Sequence, residues 1–94
     1  MVRPLLLLDR KMIICPWTPV ERFGSIKDFY RFESWMVDQI DAGNAVEQPV
    51  ASPYMQIQSF REKWFKHQKS GTIWRLVSPD EPFEGLFEQV LISI

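Results

Sequence analysis

The sequence predicts an α+β domain, with one main helix at about residues 25–42 packed on a small antiparallel sheet that contains a hairpin at about 60–78. Three observations carry this. Apolar residues recur at helical spacing from Ile26 to Ile40. Two runs rich in aromatic and branched residues, around Trp64-Phe65 and Ile73-Trp74, flank a polar turn containing Ser70-Gly71. The other apolar runs are short and show no βαβ rhythm.

The elements follow in order. Residues 1–11 read as a weakly patterned leader, a frayed terminus or short edge strand, with Met12 as a possible second start. Met12-Ile13-Ile14-Cys15 predicts a short buried strand ended by Pro16. Trp17-Thr18-Pro19-Val20 is a connection, since each Pro removes a ladder donor. Ser25 is an N-cap candidate, and Asp28 places a carboxylate in the first turn against the helix dipole. Ile26, Phe29, Met36, Val37 and Ile40 form the predicted buried stripe. Gly43-Asn44 ends the helix through a left-handed residue.

Residues 45–59 read as loop-rich, with a short strand at about Ala45–Val50 and either a strand or the hairpin entry at Met55–Phe60. Hairpin arms are expected at about 60–67 and 72–78. Ser78-Pro79-Asp80-Glu81-Pro82 is a turn, Phe83–Leu86 a tight turn around Gly85, and Phe87–Ile94 a last apolar strand.

Ninety-four residues with 46% hydrophobic content and 14% aromatics make a single folded domain, 1–94, rather than a disordered segment. A net charge of −1 supplies no field that favours nucleic acid or anionic lipid. The single cysteine, Cys15, leaves no partner for a disulfide within the chain. Leu5-Leu6-Leu7-Leu8 is too short for a signal core, and no apolar run approaches the roughly 20 residues of a membrane span. The expectation is a soluble, cytoplasmic protein.

Alternation along the hairpin divides its side chains. With His67 and Thr72 flanking the turn, Phe65 opposes Trp74, Lys63 opposes Leu76, Trp64 opposes Arg75 and Lys66 opposes Ile73. One face then carries Phe65, Trp74 and Leu76 and is the core candidate. The other carries Trp64, Lys66, Ile73, Arg75 and Val77, where Trp64 and Arg75 can form a cation–π pair. On the helix, Trp35 points more than a quarter-turn from the apolar stripe, and Phe32 lies at its edge. Aromatic and Arg residues left uncovered are common anchors of protein interfaces.

Charge is segregated along the chain. Arg61, Lys63, Lys66, Lys69 and Arg75 cluster on the hairpin, and Asp80, Glu81, Glu84 and Glu88 follow. Separate patches can mate with a partner of complementary potential. The acidic residues lack a calcium-loop pattern and read as a solvated turn. Cys15 sits in an apolar run and reads as inert core; His67, between Lys66 and Lys69, reads as a solvated surface imidazole. No metal site, cofactor or catalytic constellation emerges from the spacing.

The run Trp64-Phe65, Gly71-Thr72-Ile73-Trp74-Arg75-Leu76-Val77, Pro79-Asp80, Pro82-Phe83 and Gly85 resembles small uncharacterised bacterial proteins, some of them similar to immunity proteins of polymorphic toxin systems. It covers about the C-terminal third and transfers no site. The resemblance implies a small cytosolic protein that binds and blocks one toxin domain without catalysis. The contact candidates are Trp35, Trp64, Lys66, Arg75, Asp80, Glu81 and Glu84. Two alternatives stay open: a single-stranded nucleic-acid-binding module using the basic aromatic hairpin, and a small enzyme centred on Cys15 or His67.

Overall fold

The structure is a computed structural model that describes residues 14–91. One helix packs on a four-stranded antiparallel sheet. Helix α1 spans Ile26–Asp41 and is followed by strands β1 (Ala45–Gln48), β2 (Glu62–His67), β3 (Ile73–Val77) and β4 (Leu86–Val90), which lie in chain order across the sheet. No helix among the described residues is long and apolar enough to cross a membrane.

The helix begins and ends as its sequence dictates. Ser25 is extended, and its hydroxyl accepts the Asp28 N–H at 3.2 Å. At the other end Gly43 has φ +83°, its N–H bonds the Ile40 carbonyl, and the Asn44 N–H reaches back to the Gln39 carbonyl. That pair of bonds satisfies two orphan carbonyls and turns the chain into β1.

The predicted register holds residue for residue: Lys63, Trp64, Phe65 and Lys66 pair with Leu76, Arg75, Trp74 and Ile73. Phe65, Trp74 and Leu76 are buried beneath the helix with Phe29 and Met36. Trp17 and Phe23, from the segment before the helix, and Phe87 from β4 complete this core. Trp74 stacks on Phe87 with centroids 4.8 Å apart and planes at 16°, a diagonal pair across β3 and β4.

Several expectations are corrected. Ile14 is 77% exposed, and Ile14–Cys15 is not strand; Met12, Ile13 and the leader 1–11 lie outside the described residues. The edge of the sheet is met further on, where Val20 exchanges two backbone hydrogen bonds with Phe87. Pro16 and Pro19 remove donors from the intervening stretch, which limits it to that single bridge. Residues 55–60 form no strand. Tyr54–Gln56 is a single 3-10 turn in which Met55 (φ 50°) and Gln56 (φ 60°) are left-handed. The tight turn falls at Asp80–Phe83, which exchange backbone bonds at 2.9 Å, rather than at 83–86. Strand β4 ends at Val90, Leu91 is exposed, and residues 92–94 are outside the description.

The helix stripe is also narrower than its apolar pattern. Phe29 and Met36 are buried and Ile40 is half-buried, whereas Ile26 and Val37 are exposed. At about 100° per residue, Ile26 and Val37 stand roughly 60–100° round the axis from Phe29 and Met36. The sheet covers only the arc centred on the latter two. Phe32, predicted at the edge, closes the opposite side against Phe23 and Phe87.

Candidate partner-binding site

The two sheet faces have different fates. On the face away from the helix, β2 and β3 present Glu62, Trp64, Arg75 and Val77, and a small aromatic cluster covers one end of them. Tyr54 stacks on Phe83 (5.7 Å), and Phe60 lies 4.7 Å from Phe83. Glu62 ties this cluster to the sheet. One carboxylate oxygen accepts the Tyr54 N–H at 2.7 Å, and the other accepts the Trp64 indole N–H at 2.7 Å. Its side chain is almost fully buried.

Arg75 completes the node. Its Nε stands 3.5 Å from Glu62 and a terminal nitrogen 3.6 Å from Glu88 on β4. The Nε lacks the alignment for a hydrogen bond, so charge rather than directed bonding holds that contact. The guanidinium carbon lies over both Tyr54 (5.3 Å) and Trp64 (5.6 Å). The predicted Trp64–Arg75 pair therefore forms, but inside the fold.

The predicted contact residues do not gather into one patch. Trp64 is 3% exposed, and its indole is used by Glu62, so it is no surface anchor. Arg75 is likewise enclosed. Lys66 is half-buried on the far face beside Ile73. Trp35 is 37% exposed, with its ring against Trp17 (5.9 Å) and Phe32 (5.2 Å). Asp80, Glu81 and Glu84 are exposed, and Glu84 makes a loose pair with Arg22 at 4.0 Å. The charge segregation seen along the chain is partly cancelled in space, because antiparallel pairing sets Glu88 opposite Arg75.

His67 is not a solvated surface imidazole. It is 6% exposed, with its ring 4.8 Å from Trp17. Burial and, second, the Lys69 ammonium hold it below its ordinary value. Parity places His67 on the helix-side face with Phe65, and its position at the strand end hid this behind two flanking lysines. Cys15 is half-buried against the core.

What the sequence reading missed is a groove of about 390 Å³ between the first half of the helix and the ends of β2 and β3. Ile26, Tyr30 and Glu33 form one wall; Arg61, Lys63 and Asp80 stand on the other. Lys63 Nζ reaches Glu33 at 3.8 Å across it. The helix makes its main sheet contact at β1, so its N-terminal half stands away from β2 and β3. Above the groove Ile26, Tyr30 and Val37 form an exposed flank, 47%, 55% and 51% accessible. The i, i+4, i+11 spacing could have revealed this flank, had Tyr30 been counted with Ile26 and Val37.

Among the described residues no group of three or more His, Cys, Asp or Glu side chains is placed to hold a metal ion. Comparisons with protein families, with curated proteins and with solved structures find no match to this chain.

Proposed function

We propose that this chain is a small non-catalytic protein-binding module, most concretely an immunity-type inhibitor that binds and blocks a cognate bacterial toxin domain in the cytoplasm. The observation that carries the binding role is the exposed Ile26–Tyr30–Val37 flank beside a groove with charged walls. An apolar centre with a charged rim is the usual anatomy of a protein interface. Glu33, Arg61, Lys63 and Asp80 line the groove with both signs of charge, a pattern that orients a partner of complementary potential. The toxin-blocking role rests on the resemblance of the C-terminal third.

The nucleic-acid reading has less support. Single-strand platforms need aromatic faces open to bases. Trp64, Phe65 and Trp74 are all buried, and Arg75 and Lys63 are engaged by carboxylates.

The test is co-expression with the product of the neighbouring gene. The reading expects a stable complex and rescue of cells from that product. A chain that stays alone and gives no protection sinks the inhibitor role.

A further inference from the structure

The two edges of the sheet are finished differently. Along β4 the outward edge is met by the segment before the helix: Val20 exchanges two backbone bonds with Phe87, and the Phe23 N–H reaches the Glu84 carbonyl at 3.2 Å. Strand β1 stands at the other edge. The Asn44 carbonyl accepts the Gln68 N–H at 2.9 Å, so Asn44, Val46 and Gln48 turn their backbone groups toward β2. Ala45 and Glu47 turn theirs outward. Among the described residues no backbone group bonds to them there. An open edge of this kind is a template for another strand.

The open stretch is bracketed on both sides. Pro49 has no N–H, and the Gly43 N–H is already held by the Ile40 carbonyl. Two copies of β1 running antiparallel about a two-fold axis at Val46 place Ala45 opposite Glu47 in both directions. Every outward N–H of the pair then meets a carbonyl, which makes four hydrogen bonds. Val46 meets its own copy on the sheet face away from the helix, and it is 42% exposed in the single chain. An axis at Ala45 instead sets Glu47 opposite Gly43, whose N–H is engaged. An axis at Glu47 sets Ala45 opposite Pro49 and opposes two carboxylates, which destabilises the pair. The strand is complementary to itself in one register.

The layer above agrees. Phe32 marks the side of the helix that faces β4, 4.6 Å from Phe87. At about 100° per residue, Tyr30 and Val37 lie on the other side of the Phe29–Met36 stripe, toward the β1 edge, and both are exposed. One edge of the molecule thus carries open backbone groups in the sheet and apolar side chains on the helix.

We propose that the β1 edge is a homodimer interface: a second copy of this chain pairs antiparallel through Ala45–Glu47 about Val46, joining two four-stranded sheets into one of eight strands. Opposed residues in an antiparallel pair point to the same face, so both helices lie on one side with Tyr30 and Val37 turned toward the axis. The assembly closes at two copies, because each β1 edge is used once. The pairing does not rest on the partner-binding reading; a partner seated on the helix flank takes the place of the second copy.

Sedimentation equilibrium of the full chain alone tests this. One short strand pair beside a helix flank is a small, weak interface. The apparent mass should therefore rise from the monomer's at about 1 μM to nearly twice that at about 1 mM. Val46→Lys sets two ammonium groups on the axis, and Glu47→Pro removes an outward donor that makes no bond inside the fold. Each should weaken pairing at least tenfold, with far-UV circular dichroism unchanged. Leu91→Ser, past the end of β4 at the opposite edge, should leave pairing within about twofold of the parent. A parent that stays monomeric at about 1 mM overturns the proposal. So does a dimer that survives Val46→Lys or is broken by Leu91→Ser. Val46 is exposed in the single chain, so Val46→Lys decides the matter even if Glu47→Pro fails to fold.

Discussion

Replacing Glu62 tests the account of the far sheet face most sharply. Its carboxylate accepts two N–H groups at 2.7 Å and balances Arg75, all with little access to water. A hydrogen bond to a charged group contributes about 1.5–3 kcal/mol, and breaking a buried ion pair costs about 3–5 kcal/mol. These overlap, because the same carboxylate provides both. Glu62→Ala should therefore lose about 3–5 kcal/mol in total, a large part of the stability of a domain this size. Glu62→Gln keeps the shape but offers one acceptor oxygen to two donors, and should lose about 2 kcal/mol. Adding Arg75→Met to Glu62→Met should recover part of the loss of Glu62→Met alone, with a coupling of about 1–3 kcal/mol, since the orphaned charge is removed as well. Urea denaturation followed by tryptophan fluorescence gives these values from midpoints at constant slope. If Glu62→Ala and Glu62→Gln both stay within about 0.5 kcal/mol of the parent, the carboxylate is solvated and does not fasten Tyr54, Trp64 and Arg75 together.

Other substitutions probe other links. Gly85 has φ +79°, and a Cβ there would sit 2.8 Å from the Val77 carbonyl oxygen, so Gly85→Ala should cost about 2–3 kcal/mol in thermal melts. Met36 is fully buried at the helix–sheet contact, and Met36→Ala should cost about 2–5 kcal/mol by urea titration. Ser25→Ala removes the helix cap and should cost about 1 kcal/mol, read in the same melts. Ile26→Asp with Val37→Asp should leave stability within about 0.5 kcal/mol per site, because both side chains already face water.

The hairpin was legible because alternation and turn position together fix register: once His67 and Thr72 were set as flanking residues, every cross-strand pair followed. The helix was legible from its stripe and from Ser25 and Gly43. The site was not, for two physical reasons. Which part of an apolar helix arc is covered depends on how the helix lies over the sheet, so Ile26 and Val37 read as core while facing solvent. Burial of the second hairpin face depends on Tyr54, Phe60 and Phe83, distant in sequence, folding over it. Nothing local to Trp64 or Arg75 announces that cover, and Glu62, which fastens it, looks like any surface acid. His67 was misplaced for a related reason: Lys66 and Lys69, on either side of it in sequence, suggest solvent, while Trp17 arrives from fifty residues away to bury it.

The most direct measurement is calorimetric binding of the neighbouring gene's product to the parent chain and to two surface variants. The account predicts that Ile26→Asp/Val37→Asp, on the helix flank, weakens binding at least tenfold, as loss of an interface centre does. Lys66→Ala, on the far sheet face, should bind within about threefold of the parent. Tight binding by the flank variant together with lost binding by Lys66→Ala would place the interface on the opposite side of the sheet and contradict the proposal.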